Sequence, residues 1–160
     1  MSAARAGALR VGLQRRVRSW SPTRRDLAHW ARAALGRHGE GRELDVCTVG
    51  EAESAQLNAR YRGQEKPTNV LSFPAAQLPA AAAVARAPLP LGELVICPRV
   101  LAAEARAQDK TLRAHWAHLV VHGTLHLAGY DHERAADARR MERREIAVLR
   151  RLGFANPYRS

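Results

Sequence analysis

The segment that most constrains the fold runs from Thr111 to Gly129. Thr111 is a favourable helix N-cap and Gly129 a favourable stop, so the spacing predicts one helix that ends near residue 128. At about 100° per residue, a stripe of about 80° on this helix holds His115, His118, His122 and His126. Four histidines on one stripe are hard to explain as core packing. A single histidine on a helix, in contrast, usually has only a structural role. For His115 we expect a surface or supporting polar role.

Two of these histidines can share a metal ion. Imidazoles four residues apart on a helix point the same way and can bind one divalent ion at about 2.0–2.1 Å. The spacing permits either His118 with His122 or His122 with His126. His132 follows Gly129 by three residues, so a short turn can bring it back beside the end of the helix. We therefore predict His122, His126 and His132 as the ligands, with His118 as a neighbour one turn away.

This ligand set favours a catalytic ion over a structural one. Structural zinc sites have four protein ligands and favour cysteine, whereas catalytic sites leave a position for water. Cys47 and Cys97 lie in apolar, strand-like runs, which predicts buried thiols in a reducing compartment. An open site of three neutral imidazoles lowers the pKa of a bound water to about 7. Asp131 can orient a ligand histidine, and capping the last helix is its alternative role.

Gly123 occupies the position where H-E-x-x-H proteases carry their catalytic glutamate. The missing carboxylate argues against proteolysis of that type. Glycine costs roughly 1 kcal/mol of helix propensity relative to alanine, so its presence needs a reason. Close packing of the helix on a sheet is one reason, and a gap beside the metal is another.

The order of the other elements predicts an α+β fold in a single domain over residues 1–160. Strand patterns cover residues 8–17, 44–50, 68–74 and 91–98, and helix patterns cover 21–35, 51–63, 100–108, 111–128 and 133–152. Strands come early and helices late, which indicates a layer of helices against a small sheet. Residues 75–90 are rich in Ala and Pro and predict a mobile surface loop, and residues 1–7 are expected to be flexible.

Two helices carry more specific expectations. Ser21 is predicted to cap the first helix, with Pro22 in its first turn. The helix over 51–63 is predicted to end at Gly63. Its loosely apolar face consists of Ala52, Ala55, Leu57 and Tyr61.

The chain is strongly basic, with 26 Lys and Arg against 15 Asp and Glu and a net charge of +11. Such a charge attracts polyanions, so nucleic acid is the first partner to consider, although a compositional bias toward arginine is an alternative origin. No apolar run approaches the roughly 20 residues of a membrane-spanning helix. The arginine-rich N-terminus can be a targeting peptide, but its alternating pattern favours a strand. Because it contains no cleavable apolar signal segment, we expect a cytoplasmic protein.

Three blocks of the sequence resemble the YbeY family of bacterial endoribonucleases, also called rRNA maturation factors. HGTLHLAGYDH (122–132) is similar to the family's H-G-x-x-H-L-x-G-Y-D-H motif. LNARYRGQEKPTNVLSFP (57–74) and GELVICP (92–98) resemble two further blocks, with Glu93 where the family has Asp. The match runs from about residue 8 to about residue 158, and it departs in the loop at 75–90 and in the first seven residues.

The resemblance implies a four-stranded mixed sheet packed against a layer of about five helices, with the metal site at the end of the histidine helix. It implies one Zn²⁺ at the three predicted ligands and a single-strand-specific endoribonuclease that matures the 3′ end of 16S rRNA and acts in ribosome quality control. His122 would then also be catalytic. The expected partners are precursor rRNA, the small ribosomal subunit and an Era-type assembly GTPase.

The same match singles out Arg62 as the family's functional arginine. A planar guanidinium at the end of a helix can hold a phosphate bidentately. Asn69 and Ser72 could offer hydrogen bonds to ribose or phosphate. Two other functions are consistent with the residues: a non-catalytic ribosome-assembly module that uses zinc as a staple, and a metallohydrolase of another substrate such as a peptide.

Overall fold

The computed structural model describes residues 7–75, 89–130 and 133–159. Within these ranges the chain forms four strands, five α-helices and one short 3-10 helix over Gly36–Gly39. In chain order the strands and α-helices are β1 (Arg10–Arg15), α1 (Arg24–Leu35), β2 (Arg42–Thr48), α2 (Glu51–Arg62), β3 (Val70–Pro74), β4 (Leu89–Ile96), α3 (Pro98–Ala107), α4 (Leu112–Leu127) and α5 (Ala135–Arg151). The predicted α+β class is confirmed.

The strands form one mixed sheet in the order β1-β2-β4-β3. β1 pairs parallel to β2 and β2 parallel to β4, whereas β3 runs antiparallel to β4. Ser72 of β3 lies opposite Leu94 of β4. Because β3 is at the end of the described sheet and follows α2, it brings the C-terminal end of α2 to the sheet edge.

The main core lies between one face of this sheet and four of the helices. Its largest fully buried side chains include Trp30 of α1, Leu94 of β4, Leu101 of α3, Trp116 of α4 and Met141 of α5. α4 is buried on most of its circumference, as expected for a central helix.

The expectation that all the helices form one layer is wrong for α2. A second, smaller cluster, made of Cys47, Val49, Leu71 and Val95, lies apart from the main core. Leu57 of α2 packs against it. Strands with apolar side chains on both faces need cover on both faces, so α2 lies across the sheet from the other helices.

Several element ends differ from the sequence predictions. Thr23, and not Ser21, caps α1, because its side chain accepts a hydrogen bond from the Asp26 amide at 3.1 Å. Ser21 instead accepts a hydrogen bond from the Arg15 guanidinium at 2.9 Å. Leu89 and the proline after it belong to β4, so the loop predicted over 75–90 ends earlier, and its residues 76–88 lie outside the described ranges, as do residues 1–6.

The apolar face predicted for α2 is correct only in part, because Leu57 packs against the second cluster whereas Ala52 and Tyr61 are exposed. The fully buried side chains of α2 are the polar Ser54 and Asn58. Ser54 Oγ accepts a hydrogen bond from the Thr68 amide at 2.9 Å, and the Asn58 side chain donates to the Lys66 carbonyl at 2.8 Å. These contacts tie α2 to the connection that enters β3, which explains why polar residues occupy its inner face. Gly63 ends the helix in the left-handed conformation, as predicted.

No helix in the described ranges combines the length and the apolar character that crossing a lipid bilayer requires.

Candidate active site

Gly123 brings α4 against the sheet at the candidate site. A Cβ placed on this residue would lie 2.7 Å from Leu94 Cδ2 and 3.4 Å from Ser72 Oγ. Leu94 is fully buried, so it has little room to move away. Of the two reasons considered for this glycine, close helix–sheet packing is therefore the one that the structure supports. The approach places the face of α4 next to β3.

One pocket of about 270 Å³ lies at this junction. It is lined by Tyr61, Arg62, Val70, Leu71, Ser72, Phe73, His122 and His126. Arg62 is the last residue of α2, Ser72 lies in β3, and the two histidines lie one turn apart on α4. The fold thus brings an arginine, a hydroxyl and two imidazoles together from three elements.

The remaining predicted residues lie elsewhere. Asn69 does not line this pocket; its amide donates to the Glu104 carboxylate at 3.1 and 3.2 Å, and its oxygen accepts from the Val70 amide. His118 lines a different pocket, of about 400 Å³, beside the C-terminal segment. Asp131 and His132 lie outside the described residues. Neither cysteine lines the site, and both are buried free thiols.

A buried carboxylate stands directly behind His122. Glu145 of α5 is fully buried, and its Oε1 accepts a hydrogen bond from His122 Nδ1. Its Oε2 accepts from the Tyr158 hydroxyl and lies 3.5 Å from His118 Nε2. Burial alone would raise the pKa of Glu145, but its contacts with His118, His122 and Tyr158 outweigh burial and lower that pKa to about 2. The group is therefore a carboxylate at neutral pH.

His115 belongs to a separate polar pair. It is buried rather than on the surface, and its Nε2 lies 2.9 Å from Glu104 Oε1. The hydrogen bond from His115 holds the pKa of Glu104 below its usual value, although partial burial opposes this and Asn69 adds to it. The histidine stripe of α4 thus divides into one residue paired with α3, one beside the C-terminal segment and two at the pocket.

The groups around the two pocket histidines are of the kind found around metal-binding histidines. A metal-binding histidine usually donates its second ring N–H to a carboxylate or carbonyl, which is what His122 does toward Glu145. Within residues 7–75, 89–130 and 133–159, no group of three His, Cys, Asp or Glu side chains is arranged to hold a metal. A third ligand would therefore have to come from outside these ranges, where His132 lies.

The sequence analysis missed two residues of this site. Glu145 falls on the apolar stripe of α5, four residues from both Met141 and Leu149. A carboxylate at a core-facing position requires a buried partner, so its place in the apolar stripe is the sequence signal that could have identified Glu145. Tyr61, expected on an apolar helix face, is a 55 % exposed residue at the pocket, and its ring packs edge-on against Phe73. An exposed tyrosine beside an arginine is a common platform for a nucleic-acid base.

The fold and the pocket define an α+β protein with a site suited to an anionic substrate. The family model described as endoribonuclease YbeY matches residues 15–153. The chain therefore belongs to the YbeY family of endoribonucleases. The solution structure of TM1509 from Thermotoga maritima shares the fold, with a TM-score of 0.54 at 24 % sequence identity, and the alignment covers 95 % of this chain and 99 % of that one.

Proposed function

We propose that this chain is a zinc-dependent endoribonuclease that cuts single-stranded RNA in the maturation of the 3′ end of 16S rRNA. The observation that carries this proposal is the shared pocket, in which Arg62 and Ser72 face His122 and His126. Membership of the endoribonuclease family supports the reaction. The net charge of +11 supports an RNA substrate. Ribosome quality control, a small-subunit partner, an Era-type GTPase and a cytoplasmic location belong to the same proposal.

Five of the pocket residues have a role in this reaction. Arg62 holds the scissile phosphate through its guanidinium, and Ser72 donates a hydrogen bond to phosphate or ribose. Tyr61 stacks on a flanking base, which favours an unpaired strand. His122 and His126, with His132 as the third ligand, hold Zn²⁺. When bound, this ion would supply Lewis-acid polarisation of the phosphate and an activated water.

The test combines metal analysis of the purified protein with cleavage of a single-stranded RNA that spans the 3′ end of the 16S precursor. We expect one zinc per chain and cleavage that His126→Ala abolishes while circular dichroism shows a folded protein. Arg62→Glu should also abolish cleavage. Arg106→Glu is its matched control, because Arg106 carries the same charge, is exposed on α3 and does not line the pocket.

The products identify the nucleophile. A 2′,3′-cyclic phosphate indicates attack by the ribose 2′-hydroxyl, which expels the 5′-oxygen. A 5′-phosphate with a free 3′-hydroxyl indicates attack by water with the 3′-oxygen as leaving group. If the wild type cuts no RNA and His126→Ala unfolds, zinc is a structural staple and the chain is a ribosome-assembly module. If peptide cleavage depends on His122 instead, the substrate class is wrong.

A further inference from the structure

The contact between Glu145 and His122 has a consequence for metal binding. We propose that Glu145 and Tyr158 are positioning residues that hold the His122 ring in the orientation a metal requires. This inference rests on the proposed metal site, and it adds two residues that the histidine motif does not contain. One comes from α5 and the other from the C-terminal segment.

The position of Glu145 is costly unless it serves its neighbours. Its side chain has no exposed surface, and an isolated carboxylate in such a place would be strongly destabilising. It is stabilised by contacts from two elements: His118 and His122 of α4, and Tyr158 near the C-terminus. An apolar side chain would fill the same place between Met141 and Leu149 without this cost. The carboxylate is therefore explained best by what it does to its partners.

For His122, the partner determines which ring nitrogen faces the pocket. Glu145 accepts from Nδ1, so a metal bound by this histidine would bind Nε2. The His122 side chain as a whole is 32 % exposed, and it lines the pocket with Arg62. The carboxylate thereby holds the ring in one tautomer and one rotamer. A ligand held in this way loses less conformational entropy when it binds a metal, which raises affinity.

Tyr158 extends this arrangement to the C-terminal segment. Its hydroxyl donates to Glu145 Oε2, and its ring packs edge-on against His118 with centroids 5.3 Å apart. The segment is itself anchored, because Lys110 Nζ donates to the Pro157 carbonyl at 2.6 Å and Asn156 Oδ1 accepts from the Tyr158 amide at 2.9 Å. The segment therefore fixes the carboxylate oxygen that does not face His122.

The experiment measures zinc affinity by competition with a chromogenic chelator for the wild type, Glu145→Gln and Tyr158→Phe. Glu145→Gln keeps the shape but weakens the acceptor, and we expect zinc to bind 10- to 100-fold more weakly, on the order found for such supporting partners. Tyr158→Phe removes one hydrogen bond, so roughly a two- to tenfold loss is expected. The matched control is Glu104→Gln. Glu104 of α3 pairs with His115, which lies on the same helix as His122, and this substitution should leave zinc affinity unchanged.

A second readout needs no variant. Nitrogen NMR of the zinc-loaded wild type should show His122 protonated on Nδ1 and bound through Nε2. Zinc on Nδ1, or a Glu145→Gln protein that binds zinc as tightly as the wild type, would overturn the inference. If Glu145→Gln fails to fold, the nitrogen spectrum and Tyr158→Phe decide.

Failure of the proposed function gives a different result. A wild type that binds no zinc removes both the proposed metal site and this inference. A wild type that binds zinc and cuts RNA, with equal zinc affinity in both variants, removes only the positioning role.

Discussion

Gly123 sets how closely α4 approaches the sheet. The Leu94 side chain occupies the space that any larger residue at 123 would need, and it is itself enclosed by the core. The same approach places Ser72 beside the histidine face of α4. Gly123 is unfavourable for the helix by itself, but the geometry of the site requires it.

The packing role of Gly123 predicts a coupled pair of substitutions. Gly123→Ala should lower the free energy of unfolding by up to about 2 kcal/mol, because overpacking of about 1–3 kcal/mol exceeds the roughly 1 kcal/mol gained in helix propensity. In a Leu94→Ala background the clash is absent, so the same substitution should stabilise by about 1 kcal/mol. Urea unfolding of the wild type, the two single variants and the double variant measures how the effect of Gly123→Ala differs between the two backgrounds. Equal effects in both backgrounds would contradict the packing role.

The Glu104–His115 pair predicts a pH dependence. The pKa of Glu104 is lowered from its usual 4.5, so its carboxylate contributes stability above that value, and the contribution is lost as the pH falls through the lowered value of the folded state. Glu104→Gln should therefore be less stable than the wild type by about 1–2 kcal/mol at pH 7. The difference should narrow below pH 4.5. Glu65→Gln, which changes an exposed carboxylate in the α2–β3 connection, should show no such trend.

At the scale of elements, α2 is positioned by buried polar contacts as well as by the packing of Leu57 on the second apolar cluster. Ser54 and Asn58 point inward and bond to the connection that leads into β3. This connection also follows directly from Arg62, the last residue of the helix. The placement of the arginine therefore depends on two buried hydrogen-bonding side chains one turn apart.

Asn58→Ala should weaken both the fold and the reaction. It leaves the Lys66 carbonyl without its donor, which we expect to cost about 1–3 kcal/mol, and it loosens the end of α2 that carries Arg62. RNA cleavage under conditions where the variant is folded should fall as well. Gln56→Ala, at an exposed position of the same helix, should change stability by less than about 0.5 kcal/mol. Unchanged cleavage by folded Asn58→Ala would show that Arg62 is placed by other contacts.

For the whole molecule, the net charge of +11 dominates long-range behaviour. Only two of its 26 basic residues are lysines, so nearly all the positive charge is carried by guanidinium groups that suit phosphate. Charge of this size concentrates a polyanion near the surface before the pocket selects a particular strand. Added salt should therefore weaken the binding of RNA more than it slows the cleavage of RNA that is already bound.

The affinity for single-stranded RNA should fall with salt along a log–log slope of about −3 or steeper, which corresponds to four or more phosphate contacts at roughly 0.7 each. Arg62→Gln should make the slope shallower by about 0.7, because it removes one contact. Arg60→Gln should change the slope less, since Arg60 does not line the pocket. Fluorescence anisotropy between 50 and 300 mM salt measures all three proteins. A flat slope would contradict an electrostatic contribution from the basic surface.

Local patterns in the sequence were enough for the elements and for the histidine stripe. Thr111 caps α4, Gly63 ends α2, and the spacing of His122 and His126 puts both on one pocket, because capping and helical periodicity act within a few residues. Only the tertiary structure decided the rest. Glu145 meets His122 across a separation of 23 residues, and Tyr158 meets Glu145 across 13. α2 lies on the second face of the sheet. Such contacts depend on how whole elements pack. The hydrogen bond from Asn69 to Glu104, which keeps Asn69 out of the pocket, is a contact of the same kind.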